Sequence, residues 1–155
     1  SGVEALMNNP DQLRLLQQDP SLIDNAVEQM IRWATPVRHF LRQATGEYTL
    51  RGARIRAGDW LMLVYLSANR DDAMFENPYR FDVRRKNASE HIAFGTGVHF
   101  CLGAHLARLE LKAFITELLS RLESIEPNGL AEHMIANFVG GLKRLPVRYR
   151  LRATA

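Results

Sequence analysis

The sequence predicts a mainly α chain that carries small antiparallel β-sheets, an α+β class. Apolar residues recur at helical spacing through the first third, the period shortens to that of strands between Glu47 and Tyr65, and a long amphipathic run extends from about Cys101 to Leu122. With 155 residues, 46% hydrophobic and 24% charged, the chain has the size and balance of one folding unit with a real core, not of a disordered tail or a rod.

The elements follow in order. Asn9-Pro10 sets a capping side chain before a proline suited to a first helical turn, Leu13, Leu15 and Leu16 follow, and Asp19-Pro20 breaks the run. Ser21 is expected to cap the next helix, in which Leu22, Ala26, Met30 and Trp33 keep the helical period until Pro36 stops it, so a helical hairpin opens the chain. Glu47–Leu50, Ala53–Arg56 and Trp60–Tyr65 read as strands of one small sheet, joined by turns at Arg51-Gly52 and Ala57-Gly58-Asp59. Residues 67–90 are polar and turn-forming, which predicts one short helical turn followed by an irregular meander. In the long helix Leu102, Leu106, Leu109, Ala113, Phe114, Leu118 and Leu122 are expected to form one broad buried face. Met134–Val139 and Leu145–Leu151, around Gly140-Gly141, suggest two or three closing strands.

Charge and cysteine content narrow the function. Twenty Lys and Arg against seventeen Asp and Glu leave a net +3 spread along the chain, which argues against a nucleic-acid partner. No run approaches the ~20 apolar residues of a membrane span, and Ser1-Gly2-Val3-Glu4 is not a secretory signal, so a soluble, cytoplasmic protein is expected. The single cysteine, Cys101, excludes an internal disulfide and any zinc site built on several thiolates.

That cysteine lies in the most informative segment, Phe94-Gly95-Thr96-Gly97-Val98-His99-Phe100-Cys101-Leu102-Gly103-Ala104-His105-Leu106-Ala107. Glycines permit positive backbone angles or close approach of a flat partner, and a cysteine at a helix start meets free N–H groups that favour a thiolate. A buried core cysteine is the alternative, since lone thiols are commonly buried.

The pattern Phe-Gly-x-Gly-x-His-x-Cys-x-Gly-x-x-Leu-Ala from Phe94 to Ala107 resembles the haem-binding signature of the cytochrome P450 family. Thr35-Pro36-Val37-Arg38, Ala68-Asn69-Arg70-Asp71 and Phe75-x-x-Pro78-x-Arg80-Phe81-Asp82 are similar to bacterial-type segments of that family, in the same order, so essentially the whole chain is covered. The resemblance implies haem b as cofactor, with Cys101 as thiolate ligand of the iron and Phe94 packed against the porphyrin and the sulfur. It implies that Gly95, Gly97 and Gly103 allow close approach, and that His99 and Arg42 serve the two propionates. His105 is expected to be a packed or surface histidine. Val37, Phe138 and Val139 resemble residues bordering the substrate pocket, with plain core packing as the alternative. The ending Asn137–Val147 looks like that of members acting on sterols or branched lipids.

One departure stands out. The family's Glu-x-x-Arg becomes Gln29-Met30-Ile31-Arg32, with Arg80 as the expected meander partner. Gln29 can accept a hydrogen bond from Arg32 but cannot neutralise it, which is expected to weaken haem incorporation or stability. Glu28, four residues before Arg32, has the spacing of a helical ion pair. Arg84-Arg85-Lys86 with Arg108 and Lys112 would form a basic face for a ferredoxin-type electron donor, or an ordinary solvated surface.

The resemblance as a whole implies a haem-thiolate monooxygenase that inserts one oxygen atom of dioxygen into a small hydrophobic substrate such as a sterol or lipid. The family's oxygen-activating segment, Ala-Gly-x-x-Thr-like, does not occur before Val3, so residues 1–155 are expected to form the C-terminal portion of the domain. The rival expectation is a non-enzymatic fragment that binds haem weakly or not at all, with self-association through exposed apolar surface. A zinc or redox-thiol role has no supporting ligands.

Overall fold

The computed structural model describes residues 1–152. Three helices open the chain: α1 (Gly2–Asn8), α2 (Pro10–Gln18) and α3 (Ile23–Ala34). Pro10 takes the first helical position as expected, but the Asn9 side chain turns back to donate to the Ala5 carbonyl at 2.8 Å. Ser21 does not cap α3. A 3₁₀ turn, Pro20–Leu22, leads into that helix, and Asp19 accepts from the Ser21 backbone N–H and hydroxyl. α3 buries Ile23, Ala26, Val27, Met30 and Ile31, and its burial extends to Gln29 and Arg32. It ends where Thr35 adopts a left-handed conformation, φ 37°, and its hydroxyl donates to the Arg32 carbonyl.

The single small sheet expected for residues 47–65 is instead two. β1 (His39–Gln43), which the sequence reading missed, pairs antiparallel with β4 (Trp60–Val64), while β2 (Tyr48–Leu50) and β3 (Ala53–Ile55) form a separate hairpin. The hairpin is closed by Arg51 and Gly52, both at positive φ as a tight primed turn requires. A short helix, α4 (Tyr65–Ala68), precedes the meander, which is irregular as predicted.

The long helix, α5 (Ala104–Arg121), starts three residues after Cys101, so the sulfur stands outside the first turn rather than at its head. Of the predicted face only Leu122, just past the end of the helix, is buried. Ala104, Ile115 and Leu119 are buried and Leu111 packs against the same core, whereas Leu102, Leu106, Leu109 and Phe114 are exposed, Leu102 wholly so. Apolar residues lie almost all round this helix, so periodicity alone could not choose its inner face.

β5 (Leu122–Pro127), also unpredicted, pairs antiparallel with β8 (Val147–Leu151), and β6 (Glu132–His133) pairs with β7 (Leu142–Arg144). Met134–Val139 is not a strand. It contributes one bridge, Val37 to Val139, flanked by Arg38 N–H to the Phe138 carbonyl and Gly140 N–H to the Pro36 carbonyl. The core unites α1, α2, α3 and α5 with Phe81 and Val83 of the meander.

Candidate functional site

Backbone hydrogen bonds shape the segment before α5. Gly95 N–H donates to the Ile92 carbonyl, Phe100 N–H to Gly97, and Cys101 N–H to Phe94 at 2.9 Å, which closes residues 94–101 into a ring. Gly95 and Gly97 hold φ of 74° and 68°, angles that side chains with a Cβ rarely adopt. Cys101 is exposed.

The thiol faces a cavity of about 840 Å³. Ile31, Ala34, Val37, Phe40 and Leu111 give it apolar walls, and Arg42 and His99 join Cys101, Phe94 and Gly95 in its lining. One sulfur, two basic nitrogen side chains and an otherwise apolar wall suit a flat apolar group that carries a metal and acidic substituents. Arg42 stacks on Phe40 at 5.5 Å, and Phe40 in turn meets Tyr65 at 5.9 Å and Phe138 at 5.2 Å. Tyr65, buried and part of the lining, was not singled out in the sequence, because it falls at the end of a predicted strand and carries no motif.

The expected residues do not all converge. Gly97, Gly103, Phe138 and Val139 are outside the cavity lining; Phe138 packs on His39 and Phe40 beside it, and Gly140, Gly141 and Leu142 take the place expected for it. His105 is exposed. Among the described residues no cluster of three His, Cys, Asp or Glu could hold a metal, so Cys101 is the donor that such a site would use.

Comparison places this loop in a known setting. A family model described as Cytochrome P450 matches residues 10–152. The chain belongs to the cytochrome P450 family. It is 46% identical over 144 residues to Cytochrome P450-terp of Pseudomonas sp., covering 93% of this chain and 33% of that protein. It is 44% identical over 149 residues to Steroid C26-monooxygenase of Mycobacterium tuberculosis, covering 94% of this chain and 40% of that one. Cytochrome P450-153 from Novosphingobium aromaticivorans superimposes with a TM-score of 0.91 at 44% identity, over 96% of this chain and 38% of the other. The chain therefore spans about a third to two fifths of the length of these P450s.

The proximal framework departs from the sequence expectation in its arginines. Arg32 is fully buried, and its donors reach Gln29 Oε1 at 2.8 Å, the Asn69 carbonyl at 2.6 Å and the Pro78 carbonyl at 3.2 Å. Burial, with Arg85 and Arg70 nearby, pushes its guanidinium down to about 9. The meander arginine that faces this group is Arg85, not Arg80: the Arg80 side chain is exposed, and only its carbonyl takes part, 3.5 Å from Gln29 Nε2. Arg85 is buried and donates to the carbonyls of Glu76, Asn77 and Arg80. Asn69, also fully buried, ties the parts together by donating to Thr35 Oγ1 and accepting from Ile92 N–H.

Glu28 does not pair with Arg32. It points to Arg108, and Lys112 pairs with Asp24 at 2.6 Å. Of the five expected docking charges, Arg85 is buried and Arg108 is held by Glu28, whereas Arg84, Lys86 and the ion-paired Lys112 are exposed.

Proposed function

We propose that the chain is the thiolate-bearing part of a haem-thiolate monooxygenase. The observation that carries this reading is the convergence of Cys101, Arg42 and His99 on one apolar cavity. Cys101 would hold the iron of haem b, Phe94 would pack beside the sulfur, and Arg42 and His99 would hold the propionates. Haem b, when bound, supplies the activation of dioxygen, with one atom going into an apolar organic substrate and the other into water at the expense of electrons from a redox donor. Gly95 and Gly97 take positive angles that shape the loop, Gly103 would carry a Cβ 3.9 Å from the sulfur if it had one, and Val37, with Phe138 and Val139 behind it, bounds the substrate side.

The substrate class in this reading is a small hydrophobic molecule of the sterol or lipid kind. The apolar lining supports it, as do relatives named for a steroid and a solved relative, CYP109E1 from Bacillus megaterium, in complex with testosterone (TM-score 0.88, 32% identity, 98% of this chain and 42% of that one). A ferredoxin-type donor and a cytoplasmic location belong to the same proposal; no helix among the described residues is long and apolar enough to cross a membrane. Donor docking then rests on Arg84, Lys86 and Lys112, and electron transfer that is insensitive to salt and to charge reversal at all three would refute this surface.

A second reading, in which the 155-residue chain by itself binds haem weakly or not at all and performs no turnover, is favoured by the exposure of Cys101 and of the Leu102, Leu106, Leu109 and Phe114 row. One spectrum separates the two. The purified chain with added haem, reduced under carbon monoxide, should show a thiolate-type Soret band that Cys101→Ala abolishes; absence of the band in the parent chain supports the second reading, and its persistence in Cys101→Ala overturns the ligand assignment.

A further inference from the structure

Glu28 is a carboxylate shared by two bases from different parts of the chain. Oε1 accepts from Arg108 Nε at 2.6 Å, and Oε2 accepts from Arg108 Nη2 at 2.9 Å and faces His91 Nε2 at 3.2 Å. The His91 side chain is only 1% exposed, and its Nδ1 accepts the Ala93 N–H. Nδ1 is thereby the accepting nitrogen, and Nε2, buried and without a well-aligned hydrogen bond, stands beside the Glu28 carboxylate. Both bases then reach Phe94. The Arg108 guanidinium lies 4.7 Å from the Phe94 ring centre, and the His91 ring lies 5.8 Å from it. Phe94, finally, accepts the Cys101 N–H at its carbonyl. A continuous set of contacts thus runs from α3, through α5 and the start of the loop, to the sulfur-bearing residue.

We infer that Glu28 is the positioning residue of the thiolate loop: by orienting Arg108 and His91 on the Phe94 ring it fixes where Cys101 presents its sulfur. A fork-bound guanidinium has its plane set by the carboxylate, so loss of the charge frees Arg108 to turn away from the ring. The same loss removes the charge that stands 3.2 Å from the buried His91 Nε2. Bridging α3 to α5 is not the reason for this pair, because Lys112 and Asp24 already join those helices one turn away at an exposed position and touch nothing in the loop. The consequence for iron rests on the proposed function, whereas the consequence for the loop does not.

The test uses the whole 155-residue chain without haem. Native-state amide hydrogen exchange is compared among the parent, Glu28→Gln, Arg108→Lys and the control Asp24→Asn. Glu28→Gln keeps the shape and loses the charge; Arg108→Lys keeps the charge and loses the fork, so the second variant tests the idea even where the first folds poorly. The expected result is exchange faster by about tenfold at the Gly95, Phe100 and Cys101 amides in both variants, with less than about twofold change at Met30 and Ile115 and none beyond that in the control. Alkylation of Cys101 by iodoacetamide should change rate in the same two variants only. Unchanged loop exchange, or a rise equal to that of the α3 and α5 amides, overturns the inference. The haem spectrum of Cys101→Ala judges the ligand assignment separately, so either idea can fail while the other stands.

Discussion

Arg32 is a cation held entirely inside the protein without a carboxylate. Its charge is spread over three carbonyl and amide oxygens and over the face of Phe75, 4.9 Å away, which compensates burial less well than an anion would. Placing a carboxylate at the Gln29 position turns the 2.8 Å bond into a charge-assisted one and gives up only the long contact to the Arg80 carbonyl. Gln29→Glu is therefore expected to stabilise the chain by about 1–2 kcal/mol, a rise in Tm of about 3–6 °C, and to increase haem occupancy. Gln29→Ala, which orphans the Arg32 Nε, is expected to cost about 2–3 kcal/mol. Thermal unfolding and haem titration of the two variants check both; a Glu variant that melts with the parent means that the carbonyl oxygens already satisfy Arg32.

At the scale of elements, Glu28 of α3 ties Arg108 of α5 and His91 of the preceding loop to one carboxylate, and this makes their junction sensitive to acid. Burial raises the Glu28 carboxyl, but the contact with His91 and the hydrogen bonds and charge of Arg108 outweigh it and hold the group at about 2 rather than 4.5. A folded value below the unfolded one means that the carboxylate stabilises the fold fully above about 4.5 and that this contribution is lost as the pH falls from there through about 2. The urea midpoint should decline across that window, and more shallowly in Glu28→Gln. The same pair explains why the charge pattern misled. Glu28 has good spacing to Arg32 along the helix, but Arg32 is turned inward against the meander while Glu28 faces α5, a choice made by packing rather than by spacing. His91 was legible in principle, three residues before Phe94, yet a histidine in a polar stretch carries no sign that its ring is buried. β1 and β5 were missed for a similar reason: each is short and mixed in polarity, and each is held by a partner, β4 or β8, that is distant in sequence.

Over the whole molecule, composition and burial disagree around the start of α5 and along it. Leu102, Leu106, Leu109 and Phe114 lie outside the core, and the apolar cavity beside Cys101 is open to the same molecule's surface. Exposed apolar surface of this kind favours association. In sedimentation velocity the chain is expected to shift to larger species as concentration rises, and Leu109→Asp with Phe114→Asp should restore the monomer; a monomer at every concentration would refute this.

The sequence by itself determined the family, the loop around Cys101, the α+β class and the departure at Gln29, because these depend on residue identity at fixed local spacing. Glycine angles, the ring closed from Phe94 to Cys101 and the proline at the start of α2 are all local properties of the chain. Tertiary structure alone decided which face of α5 turns inward, that Arg85 rather than Arg80 faces Arg32, and that Glu28 serves Arg108 and His91. Each of those is a choice between chemically similar neighbours, and it is made by burial and hydrogen bonding between segments that the chain order keeps as many as 80 residues apart.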